Sequence, residues 1–430
     1  MKKIITVAAC AAALLQAEVV GVKPVQERSF VQSQYIPDIS LVFDASYASR
    51  NKDQDELAGI VIPGISEDVF SQGEGDGHGH SHSAYSSNNG FNLNYAELIF
   101  SANVDPSFSL DAIFHFTEDE IGIEEAYFTN TTLADGVRIR GGKLLSDFGR
   151  LNKQHPHFWD FNEAPLIYEG FLGYNHLNEL GVQVQYTLPL DEYVMIGAEL
   201  FQGQNEKSFG NESIALATTV DSVEIESAPA PSMFVGYLKT SFDIGNTTIM
   251  PGVSYVYGQS RLHHDHGGHE VAFDGKSSLY NAEFTIKHYF DSYSFLTWQS
   301  EWMHLDREGD EYHAEDPALP IEKEAQRIKQ EGYYSQLVYA HDQNIRIGAR
   351  YESIYKNDYA FIEETLPSKP FKKYTAMAEY HFSEFSRLRL EYIHNNALYK
   401  EGAIGFESED VNTLLLSVNF SIGAHGAHDF

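Results

Sequence analysis

Cysteine is nearly absent from this chain: one residue in 430, Cys10, close to the start. That excludes a disulfide scaffold and any cysteine-based metal or catalytic site. Basic residues are also scarce, with 29 Lys and Arg against 62 Asp and Glu, for a formal charge of −33. Nucleic acid is therefore not an expected partner, because phosphate neutralisation needs a basic surface. Long apolar runs are missing as well. After Ala17 none approaches the roughly 18–20 residues that a transmembrane helix requires.

The one apolar stretch of note, residues 4–15, follows Lys2 and Lys3 and leads into small residues near Ala17. This reads as a secretory signal peptide over residues 1–17, too short to span a bilayer permanently. Val7-Ala-Ala-Cys10 loosely resembles a lipoprotein box, but the apolar stretch ahead of it is too short. The exported chain then has no cysteine and is either soluble or crosses a membrane as a barrel. Residues 18–36 are expected to form a short periplasmic segment. Residues 37–430 are expected to form a single β-barrel domain with a histidine-containing tail.

Aromatic residues are plentiful: 13% of the chain, with 26 Tyr and 28 Phe. That is too many large apolar rings for a disordered acidic chain. The dominant pattern is alternation at period two. Near the C-terminus Leu414, Leu416, Val418, Phe420 and Ile422 share one face, opposite Thr413, Leu415, Ser417, Asn419 and Ser421. Leu388, Leu390 and Tyr392 likewise oppose Arg387, Arg389 and Glu391.

About sixteen such segments can be drawn: 37–50, 91–104, 107–118, 121–131, 136–146, 179–189, 193–204, 232–243, 247–260, 276–290, 293–307, 329–342, 344–356, 372–383, 386–398 and 411–422. Each is long enough for a tilted strand to cross a bilayer. Short turns such as 105–107, 243–246 and 341–344 alternate with long polar loops at 51–90, 147–178, 205–231, 261–275, 308–328, 357–371 and 399–410. A soluble sandwich has no reason to sort loop lengths by parity, whereas an outer-membrane barrel does. Tyr289, Phe290, Tyr293, Tyr333, Tyr334, Tyr380 and Phe382 at strand ends suit interfacial aromatic girdles. The expected fold is all-β, a transmembrane antiparallel barrel of about 16 strands. Short periplasmic turns and long extracellular loops would join them.

Charges that alternate with apolar positions should point inward, since a basic residue facing lipid at mid-membrane costs roughly 2–4 kcal/mol. The expected pore-lining set is Arg138, Arg140, Arg346, Arg350, Arg387, Arg389, Glu97, Glu199, Glu283 and Glu379. Lys287, Asp44, Asp111, Glu301, Glu352 and Glu391 obey the same parity. They either pair among themselves or line a wet path whose field filters solutes. The four arginines from 346 to 389 would then form a basic wall. The loop after the fifth strand is unusually aromatic, with Phe158, Trp159, Phe161 and Tyr168. Folding into the barrel mouth would bury these rings and make a constriction carrying Arg150, His155, His157, Trp159 and Asp160. Packing on neighbouring loops as a lid is the other option.

Nineteen histidines are unevenly placed. His78, His80 and His82 share one glycine-rich loop, and His263, His264, Asp265, His266 and His269 share another. Imidazole with carboxylate suits Zn²⁺, Cu²⁺ or Ni²⁺, so these eight residues are the metal candidates. A solvated polar loop is the competing explanation. No catalytic constellation stands out, and no enzyme is expected. No tightly bound cofactor is expected either, beyond Zn²⁺ as a ligand or transported ion.

The strand count and the long loop after the fifth strand resemble sixteen-stranded trimeric porins, including the phosphate-selective type. There that loop forms the constriction. Residues 90–210, through "FNLNYAELIFSANVDPSFSLDAIFHFTEDEIGIEEAYF", "GGKLLSDFGRLNKQHPHFWDF" and "FQGQNEKSFG", are similar to a family of zinc-regulated outer-membrane proteins. Its members are often labelled TonB-dependent receptors. Only residues 18–36 precede the first expected strand, too few for a folded plug, so passive diffusion fits better than energy coupling. The resemblance implies outer-membrane lipid and the barrel-assembly machinery as partners, small solutes or divalent ions as cargo, and a homotrimer. A Gram-negative outer-membrane, porin-like channel with His-rich outer loops that capture zinc is the expected function. The rivals are a plugless surface receptor or adhesin and a TonB-linked zinc uptake receptor.

Overall fold

Alternating sequences of this kind bury one face and leave the other apolar face outside, which a closed barrel in lipid satisfies. A computed structural model describes residues 37–57, 59–66, 69–70, 85–118, 121–205, 207–266, 269–314, 316–359, 369–402 and 405–423. The barrel strands are β1 (Asp38–Arg50), β3 (Gly90–Asn103), β4 (Phe108–Phe116), β5 (Ile121–Asn130), β6 (Val137–Leu145), β7 (Asn178–Thr187), β8 (Tyr193–Phe201) and β11 (Met233–Ile244). They continue with β12 (Thr247–His266), β13 (His269–Tyr289), β14 (Phe295–Ala314), β15 (Glu322–His341), β16 (Ile345–Asp358), β17 (Phe371–Ser383), β18 (Ser386–Gly402) and β19 (Gly405–Gly423). Successive strands pair antiparallel, β8 pairs with β11, and β1 pairs with both β3 and β19. Sixteen strands therefore close into a ring. The short β2 (Ile60–Val61) adds to β18, and β9 (Ile214–Ala217) pairs with β10 (Ser222–Ile225) apart from the barrel.

All sixteen expected segments coincide with barrel strands. In β1, Ser40, Val42, Asp44, Ser46 and Ala48 are buried, while Ile39, Leu41, Phe43 and Tyr47 are exposed. Leu414, Leu416, Phe420 and Ile422 of β19 continue the exposed face. A soluble protein rarely shows so large an apolar surface, but acyl chains would cover it. Phe290, Tyr293, Phe382 and Phe385 ring it near the short turns, and Tyr257, Trp302, Tyr355 and Tyr374 lie nearer the long loops. Tyr334 departs from the girdle expected of it: it faces inward, fully buried. The β11–β12 connection is two residues long, and Gly245 has φ of 61°, the left-handed geometry that matches the twist of paired strands.

Several expected loops are strand instead. The β12–β13 ladder runs to the pair His266↔His269, β14–β15 to His313↔Glu322, and β18–β19 to Gly402↔Gly405. Residues 261–266 and 269–275, most of 399–410 and much of 308–328 thus extend the barrel wall beyond the apolar belt. There both faces meet water, so the alternation that reveals a strand disappears. Cross-strand pairs such as Arg327–Asp306 at 2.6 Å and Lys323–Asp310 at 2.9 Å take its place.

Candidate functional site

Residues 146–177 leave β6 and turn into the barrel, where a backbone away from water must find hydrogen-bond partners. The partners are carboxylates on the inward positions of the wall. Glu199 of β8 accepts from the Asp147 N–H at 3.0 Å and from the Ser146 hydroxyl. Glu301 of β14 accepts from the Arg150 N–H at 2.9 Å and the Leu151 N–H at 3.2 Å. It also accepts from Tyr168 Oη at 2.8 Å, Tyr334 Oη at 2.6 Å and Asn281 Nδ2 at 3.0 Å. Glu352 of β16 accepts from Leu166 N–H at 2.6 Å, and Glu391 of β18 from Asn162 N–H at 2.9 Å. Cations on the wall take the loop's carbonyls: Lys239 reaches Gly149 O, and Arg389 Nη2 reaches Trp159 O at 2.8 Å.

Two local features let the chain follow this path. Gly149 has φ of 61°, and a Cβ there would collide with the Tyr168 hydroxyl and the Glu301 carboxylate. Pro165 precedes the helix Leu166–Leu172, whose first N–H goes to Glu352, and Gly173 at φ 76° ends it. The rings and aliphatic chains of Phe148, Phe161, Ile167, Tyr168, Phe171 and Leu172 are fully buried inside the barrel. All but Phe161 pack in one cluster with Phe201, Phe209, Met303 and Leu305 of the wall and loops, while Phe161 packs on Val338 and Met377.

This arrangement corrects the expectation of a basic wall. Arg389 is wholly buried and meets Glu379 at 2.6 Å, and Arg350 meets Glu352 at 2.8 Å beneath the Phe161 ring. Glu97, Glu199, Glu283 and Glu379 are buried rather than water-lined. Arg140, largely covered, lies 3.5 Å from Asp147 and bonds Gln183, and Arg387 lies 3.8 Å from Glu379. Only Arg138 and Arg346 of the expected basic set keep a third or more of the side chain exposed, at 38% and 35%. A charge that alternates correctly points inward, but burial beneath the loop decides whether it meets water.

The expected constriction residues sit on the inward loop. Trp159, His155 and His157 are buried, Asp160 accepts from Gln336 at 3.0 Å, and Arg150 is half-buried. Lys373 pairs with Glu163 at 2.6 Å. His176 stacks on Trp159 at 5.5 Å, and burial lowers its pKa to about 4, so the ring is neutral near pH 7. Burial likewise pushes the Glu169 carboxyl up to about 7. A cavity of about 980 Å³ opens above the loop, reaching from Trp159, Glu163, Glu169 and His176 to Tyr85 and His263.

The expected metal residues do not converge among the described residues. His78, His80 and His82 lie outside the described residues. His263 and His264 are adjacent on β12, exposed, and so on opposite faces of the strand. His266 and His269 are opposed in register across the hairpin, with Asp265 opposite Glu270. The anchoring roles of Glu301, Glu352, Glu391, Lys239 and Lys373 were not foreseeable from alternation, which gives direction but not contact.

No family model matches the chain. The outer-membrane channel DcaP of Acinetobacter baumannii is similar in structure, with a TM-score of 0.51 at 13% identity, over 90% of this chain and 96% of that one. The anion-selective porin of Comamonas acidovorans has a TM-score of 0.49 at 11% identity, over 90% and 99%. At 13% identity the likeness to DcaP is one of fold, that of a porin-like barrel. In sequence the chain is 40% identical over 410 residues to an uncharacterized protein of Aquifex aeolicus, covering 94% of this chain and 82% of that protein. That identity, over 94% of this chain and 82% of the other, makes the chain a member of the same family as the Aquifex aeolicus protein.

Proposed function

We propose that the protein is an outer-membrane channel for passive diffusion of small polar solutes or ions, with residues 146–177 as its constriction. The observation that carries this reading is the seating of that loop on inward carboxylates of β8, β14, β16 and β18. A loop built to narrow a pore must be held against flow, and charge-assisted bonds from several strands do that. The cavity of about 980 Å³ forms its outer vestibule. Arg138 and Arg346, the partly exposed cations inside the wall, supply fixed charge to the path. The exposed His263 and His264 at the rim, on a chain of −33 charge, add weak capture of divalent ions such as zinc to this reading.

Liposome swelling tests the proposal. Vesicles carrying the purified barrel should swell in isotonic small sugars and amino acids, at rates that fall steeply with solute size. Vesicles as tight as protein-free controls would leave a closed surface receptor as the correct reading.

A further inference from the structure

A second group of histidines and carboxylates meets where the sequence alone does not put one. Glu97 of β3, Glu124 of β5 and His155 of the inward loop bring three donor atoms within 4.8 Å of one another. Their assembly depends on a bulge: Ile113 pairs with Glu125 and Phe114 with Ile123, leaving Glu124 unpaired. That extra residue turns two consecutive side chains, Glu124 and Glu125, toward the same ring, as bulges beside sites commonly do.

His155 is held from both sides. Its Nε2 lies 2.9 Å from Glu125 Oε2, while Nδ1 lies 3.3 Å from Glu124 Oε1 and 3.8 Å from Glu97 Oε2. A ring that donates through Nε2 to a carboxylate presents the Nδ1 lone pair as a ligand, the usual arrangement behind metal-bound histidine. The carboxylate of Glu97 is fully buried and its oxygens accept no hydrogen bond among the described residues; the imidazoles beside it are His157, with Nδ1 3.3 Å from Oε2, and His155 at 3.8 Å. A buried carboxylate without hydrogen bonds is costly and calls for a cation. Bonds of about 2.0–2.1 Å in a tetrahedron set donors about 3.3–3.4 Å apart, so the observed 3.3 and 3.8 Å need only small closure. Glu124 and its neighbour His115 line the cavity above the loop, which gives an ion a route in.

We propose that Glu97, Glu124 and His155 form a binding site for one divalent first-row transition ion, with Glu125 orienting His155. Mixed imidazole and carboxylate donors suit Zn²⁺, with a fourth position for water. The ion ties the inward loop to β3 and β5, on the side of the barrel away from the Glu301 anchor. This site is independent of the channel reading, and it differs from the His-rich hairpin. The competing arrangement is an imidazolium at His155 between Glu124 and Glu125. Burial disfavours its charge, but the two carboxylates more than offset this and hold the ring well above the usual histidine range.

The test is zinc binding to the full-length barrel, folded in detergent and stripped with chelator. One tightly bound Zn²⁺ per chain is expected, weakened at least about ten-fold in Glu97→Gln and in Glu125→Gln. It should be unchanged in a His263→Ala, His264→Ala double variant. Heat-modifiable gel mobility checks that each variant folds. Anomalous diffraction at the zinc edge on the unaltered protein gives a second readout: a peak between Glu97, Glu124 and His155 supports the site. No bound zinc, binding indifferent to Glu97→Gln, or a peak only at the hairpin would overturn it.

Discussion

Glu301 shows how one side chain can do work that its position in a strand does not announce. Alternation puts it inside the barrel, and there it gathers two backbone N–H groups, two tyrosine hydroxyls and an amide. Glu301→Gln replaces one acceptor oxygen with a donor facing donors, and should weaken loop seating by on the order of 2–3 kcal/mol. Limited proteolysis within residues 146–177 would report it as faster cleavage of the folded barrel. Gly149→Ala should do the same by collision and by its left-handed φ, and cleavage at the unaltered rate in both variants would refute the anchoring scheme. His176 gives a pH signature. Its folded pKa of about 4 lies below the usual value near 6.5. Its contribution to loop stability is therefore complete above about pH 6.5 and is lost as the pH falls toward 4. Protection factors of the loop amides, corrected for the intrinsic exchange rate at each pH, should fall over that interval, and His176→Asn, which tolerates the residue's φ of 52°, should flatten the dependence.

At the scale of elements, the strands were the most legible feature, because lipid outside and a packed interior impose opposite chemistry on alternate residues. The test is directional. Leu390→Arg, on the exposed face between the buried Arg389 and Glu391, should destabilise the folded barrel in bilayers by about 2–4 kcal/mol. A neutral result in a urea titration would contradict the assigned faces. Legibility ended where the environment became the same on both faces. The upper halves of β12 to β15 run through water, so Arg307 to Tyr312 show no apolar period although they are paired residue by residue. The loop was legible in outline, since Phe161, Trp159 and Tyr168 demanded burial. Its helix and its wall anchors were not, because a contact between Leu166 and Glu352 is separated by 186 positions of chain. Among the described histidines, spacing along the chain did not indicate where donors meet. His263 and His264 lie along an extended strand that puts neighbours on opposite faces. His155 meets its carboxylates only through a bulge in β5.

Over the whole molecule, a strong acidic excess coexists with inward-facing arginines that are paired with buried carboxylates. Most inward arginines are consumed by pairing, so in the proposed channel the fixed positive charge would come from those left partly exposed, Arg138 and Arg346. Replacing both with serine should move the reversal potential in asymmetric salt toward cation preference, whereas an unshifted potential would remove them from the path. The proposed function requires that the barrel enclose a conducting path narrowed by residues 146–177. Single-channel recording in planar bilayers tests it most directly, comparing the unaltered protein with a Glu301→Gln, Glu391→Gln double variant. Discrete small openings are expected for the former and conductance at least about twofold larger for the latter. An absence of openings in the unaltered protein, or identical conductance in the two, would contradict it.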